Sequence, residues 1–99
     1  MTELESKALN DSIRLNERLE ALKNNEDFKE IILNGFIESG IKGSMMALPY
    51  AATDDSKKRL HSNLEAIAKL EAYFLTIENQ AKAAKATLEE DATIQEDDE

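Results

Sequence analysis

Cysteine and tryptophan are absent, and 99 residues hold one proline, one histidine and three glycines. Without cysteine there is no disulfide and no thiolate ligand for a metal, which fits a reducing compartment. So few glycines and prolines leave little material for the tight turns of an all-β fold. Aromatic residues make up 5% of the chain, so a core has to be assembled mainly from aliphatic side chains. No apolar run approaches the ~20 residues that cross a bilayer. The opening residues 1–7 lack the basic-then-apolar pattern of a signal peptide. The expectation is a soluble intracellular protein.

Catalytic constellations are scarce as well. His61 stands beside Lys58 and Arg59 with no second metal-ligand type and no nucleophile paired to it. The acid pairs Glu26/Asp27 and Asp54/Asp55 fall where helices should begin, and the positive end of a helix accounts for them there. Residues 40–44 (GIKGS) lack the Walker spacing and no strand precedes them. Residues 57–59 (KKR) are too few, and too closely flanked by acids, to form a phosphate-binding patch. The chain is therefore expected not to be an enzyme. No cofactor, no metal, no direct nucleic-acid contact and no membrane are expected.

The net charge of −9 is unevenly spread. Residues 89–99 carry seven acids and no base, so residues 1–88 are close to neutral. Repulsion at that density, with Ile94 the only large apolar residue, predicts a disordered acidic tail over 91–99 after a single helical domain over 1–90.

What the chain does contain is helix periodicity. From Asp54 to about Leu88 there is neither Gly nor Pro, and Leu60, Leu64, Ile67, Leu70, Phe74, Ile77, Ala81, Ala84 and Leu88 recur every three or four residues. At 1.5 Å per residue such a helix runs roughly 50 Å, about twice the diameter of a compact body of this size. Thr53 or Asp54 is its expected N-cap. A first helix is predicted over about 4–23, with Ala8, Ser12, Leu15, Leu19 and Leu22 as its stripe and Leu4, Leu9 and Ile13 widening it. Asn24 and Asn25 should end it, since asparagine tolerates the left-handed conformation that closes helices. Asn25 should also cap a second helix, with Gly35 stopping or kinking it. A third should run to Leu48, weakened by Gly40 and Gly43 and ended by Pro49, which pushes Leu48 away from helical angles.

The fold class expected is all-α: an N-terminal helix, two short helices and one long C-terminal helix in an extended hairpin or bundle. Its core would be Phe28, Ile31, Ile32, Leu60, Leu64 and Ile67. The far part of the long helix would lack cover within the chain. Leu70, Phe74, Ile77, Ala81, Ala84 and Leu88 are therefore expected to form an oligomer or partner surface of coiled-coil type, making the chain a homo-oligomer.

Residues 22–36 (LKNNEDFKEIILNGF) and the later stretch 64–74 (LEAIAKLEAYF), continuing to Ala84, carry a resemblance. Over roughly residues 15–90 the chain resembles a family of short acidic helical proteins encoded by tailed bacteriophages. Gly40 and Gly43 depart from that pattern, standing where those proteins have stronger helix formers. The resemblance implies a non-enzymatic role in virion assembly, with a phage head, portal or tail protein as partner, in the host cytoplasm and in the virion. The alternative is a phage inhibitor of a host enzyme or defence protein, acting through an acidic tail that mimics phosphate. No catalytic residues come with the resemblance.

Overall fold

The computed structural model describes the backbone of residues 1–97 and the side chains of residues 1–92. Among the described residues every regular element is helical and there is no strand, so the chain is all-α.

The first helix, α1 (Glu3–Lys23), is opened by Thr2, whose hydroxyl accepts the Glu5 N–H at 3.1 Å. It ends where Asn25 turns extended (φ −73°, ψ 127°) and donates its N–H to the Leu22 carbonyl at 3.0 Å. No described residue has positive φ. The left-handed closure expected of Asn24 and Asn25 is thus replaced by a direct exit into the next cap, where the Asn25 Oδ1 accepts the Phe28 N–H at 3.0 Å.

From there one continuous helical arm runs through α2 (Glu26–Phe28), a π-helical stretch (Lys29–Ser39) and α3 (Gly40–Ala47) into a closing 3-10 turn (Leu48–Tyr50). Gly35 neither stops nor caps it. Eleven residues is long for a π-helix, a form that usually occupies a single turn. Two features fit its wider ladder. A Cβ on residue 35 would lie 3.0 Å from the Glu30 carbonyl oxygen, five residues back, so glycine is the residue that sits there without pressing on the backbone. The Ser39 hydroxyl donates to the Asn34 carbonyl at 2.8 Å, again across five residues. Leu48 keeps helical angles (φ −56°, ψ −44°) despite the proline after it. The chain leaves the helix only at Ala51 (ψ 113°). Proline stands at the start of the closing 3-10 turn, whose φ its ring already fixes.

The last helix, α4 (Asp54–Asp97), begins with the Thr53 hydroxyl accepting the Ser56 N–H at 3.1 Å, as its sequence suggests. Its backbone continues past residue 90 to Asp97. Extending an existing helix costs far less than nucleating one, and Glu89, Glu90, Ala92 and Gln95 are good helix formers. Residues 98 and 99 of the expected disordered tail lie outside the described residues.

Packing gathers the chain into two compact units, one made of residues 1–21 with α4 from Phe74 onward, the other of residues 22–73. In the first, Leu19, Ile77, Ala81 and Ala84 are buried. In the second, Ile37, Ile67 and Ser44 are buried. Of the expected core, Ile67 is buried, Phe28, Ile32, Leu60 and Leu64 are half-buried, and Ile31 is 65% exposed. The π ladder explains the exception. In the arm the inward positions Phe28, Ile32, Leu33 and Ile37 recur at four and five residues, so Ile31, only three after Phe28, is turned outward.

The glycines of α3 divide by environment. A Cβ on Gly40 would sit 2.8 Å from the Ile67 Cδ1, whereas one on Gly43 would meet nothing within 4 Å. Gly43→Ala is expected to stabilise the protein by about 0.5–1 kcal/mol. At Gly40 the same gain is offset, because the added Cβ must push aside the free end of the Ile67 side chain, so Gly40→Ala is expected to stabilise less than Gly43→Ala or not at all. The urea midpoint should therefore rise further for Gly43→Ala than for Gly40→Ala.

Candidate interaction site

The described side chains bring together no group of three His, Cys, Asp or Glu able to hold a metal ion. Among the described residues no helix is long and apolar enough to cross a membrane. His61 lies on an exposed turn of α4. What the helices do offer is apolar surface, and its location differs from the pattern expected of the sequence.

The expected oligomer seam on α4 is in large part occupied. Ala81 and Ala84 are each 1% exposed, and Ile77 is buried beside them on the same helix face. Phe74 and Leu88 are half-buried. In this unit the one other element is α1, so α1 supplies the cover that the far end of α4 was expected to lack. Two alanines in succession along the seam let the backbones approach closely, and a closely approached alanine presents nothing to a partner. Leu70, half-buried, belongs to the other unit. The oligomer surface expected at Ile77, Ala81 and Ala84 is thus internal core.

The face α1 uses for this is not the one with the most leucines. Leu9, Ser12, Ile13 and Asn16 are half-buried and Leu19 is buried, while Leu4 is 78% and Leu15 43% exposed and Ala8 and Leu22 also face solvent. The inward stripe carries a polar flaw, because the Asn16 Oδ1 is buried without a hydrogen-bond partner. Such an orphan acceptor costs about 1–3 kcal/mol. A lone polar group in an apolar seam also discriminates against sliding.

The second unit presents a cleft of about 330 Å³ between the arm and α4, lined by Gly35, Phe36, Gly40, Ser44, Ala66 and Ile67, with Asn63 at its edge. The small residues make its floor shallow, and no charged side chain lines it. Phe36 at the rim is partly exposed, and Met45 and Met46 stand exposed on α3. Methionine adapts its shape readily, which suits it to contact with a partner's apolar side chains. The π register turns Phe36 outward, and Gly35 immediately before it is a local signal of that register.

No family model, curated protein or solved structure matches this chain.

Proposed function

We propose that this chain is a non-enzymatic bacteriophage structural or assembly protein, working through helix-mediated protein–protein contacts in the host cytoplasm and the assembling particle. One observation supports the contact-making part of this reading above the others. Large apolar side chains remain uncovered within each unit: Leu4, Leu15, Ile31, Phe36, Met45 and Met46 are all exposed on helices. Scattered single apolar residues need no explanation, but Phe36 stands exposed at an uncharged cleft, and α3, which lines that cleft with Gly40 and Ser44, also carries the exposed Met45 and Met46. The phage assignment rests on the resemblance carried by residues 22–36 and 64–74. The partner is a head, portal or tail protein offering an apolar helix or ridge to the cleft, a mode in which a few anchors provide most of the affinity.

The test is deletion of the reading frame from its phage, complemented with either the native chain or the double variant Phe36→Ser, Met46→Ser. Both positions are already exposed, so circular dichroism should report native helicity for the variant. The expected result is a loss of infectious particles on deletion, restored by the native chain and poorly restored by the variant. Normal particle yield from the deletion phage would end the assembly reading.

A further inference from the structure

We propose that the outer face of α1 is a self-association surface: α1 pairs with α1 of a second copy, antiparallel, with Asp11 of each copy meeting Arg18 of the other. The inference deepens the helix-contact reading above, but its readout is the mass of the purified chain and needs no phage component.

The surface follows from helix geometry. At 100° per residue, Leu4, Ala8, Asp11, Leu15 and Arg18 fall within an arc of about 80°. Their spacing alternates four and three, as in the seam of a coiled coil. This arc is distinct from the inward one that carries Leu9, Ile13 and Asn16. Leu4, Ala8, Leu15 and Arg18 are exposed, so the face is uncovered within the chain.

Charge selects both the occupant and its direction. Arg14 is already held by Asp11 on its own helix at 3.1 Å. Arg18 has no ion-pair partner among the described residues. A parallel pair would set Asp11 against Asp11 and Arg18 against Arg18, and both encounters are repulsive. An antiparallel pair with its two-fold axis between positions 14 and 15 sets Asp11 opposite Arg18 twice, once on each side of the axis. Leu15 then packs at the centre, along the aliphatic stem of the other copy's Arg14. The two Arg14 guanidinium groups flank the axis, and each keeps its own Asp11 as counter-charge. One surface that is complementary to itself after a half-turn is what a two-fold dimer requires.

Sedimentation equilibrium on the full chain, at low salt and over a range of concentration up to about 100 μM, tests this. The native chain should approach twice the chain mass. Arg18→Asp reverses both cross-pairs and should weaken association about tenfold or more. The swapped variant Asp11→Arg, Arg18→Asp should restore it, because the opposite charges meet again and Arg14 finds the new carboxylate at position 18 one turn away on its own helix. Circular dichroism on each variant confirms that the helices remain. A native chain that stays monomeric throughout overturns the proposal, as does Arg18→Asp associating as tightly as the native chain. A swapped variant no better than the single one overturns it too. A monomer that still supports particle assembly would sink this proposal alone. A dimer from a phage that assembles normally without it would sink the assembly reading alone.

Discussion

Ile67→Ala should remove about 2–5 kcal/mol of stability, the range for truncating a well-packed aliphatic side chain. Ile67 is 3% exposed, and its Cδ1 lies so near Gly40 that an added Cβ there would come to 2.8 Å. Truncation leaves a void under the arm that the glycine has no side chain to fill. Neither Gly35 nor Ala66 nearby has the length to reach into it. A chain of this size has roughly 5–15 kcal/mol of stability in all, so the loss is a large share of it. At about 4–8 °C per kcal/mol, the melting temperature should fall by some ten degrees or more. A fall of only a few degrees in a thermal melt would mean that Ile67 is not the centre of this unit.

Ala81→Leu should destabilise the protein by about 1–3 kcal/mol. The direction is the telling part. Alanine and leucine have similar helix propensities, so on an exposed face the change would be nearly neutral. At a position 1% exposed between two helices there is no room for three more carbons, and α1 must be displaced to admit them. Ala84→Leu should behave in the same way, and Ala83→Leu, one residue away on an exposed position, should not. Urea unfolding of the three variants separates an internal seam from a partner surface. If Ala81→Leu left the midpoint unchanged while altering association, the seam would belong to a partner after all.

These two variants also mark what the sequence made legible. The period of α4 marks one helix face from Leu60 to Leu88, and the residues on that face are buried or half-buried, though those from Leu70 onward were expected to lack cover within the chain. Asn25 and Thr53, the latter one of two candidates with Asp54, are caps because their side chains do locally what a cap requires. A stripe says which side of a helix is covered, however, and is silent about what covers it. For Ile77, Ala81 and Ala84 the cover is α1, and the sequence of α1 concealed this by carrying two overlapping stripes. Leu4, Ala8, Leu15 and Leu22 are the more apolar set, but Leu9, Ile13, Asn16 and Leu19 are the ones turned inward. A buried asparagine without a partner is the kind of residue that hydrophobic periodicity passes over. The cleft was hidden for a different reason. It lies in a segment whose bonds span five residues, where the three-residue step from Phe28 that picks Ile31 for the core points it outward instead. The glycines at 40 and 43 read alike in the sequence and differ only in what stands across from them.

The π-helical arm makes the number of residues in it matter more than their kind. A ladder that spans five residues accommodates one residue more per bonded loop than an α-helix does. Loss of a single codon between positions 29 and 39 would let that segment relax to α geometry and swing Ile41, Ser44 and Leu48 about 100° around the axis. Gly40 would then no longer stand over Ile67. Among natural variants of this chain, length changes within the arm should accordingly be rarer than substitutions at its outward positions, such as Ile31.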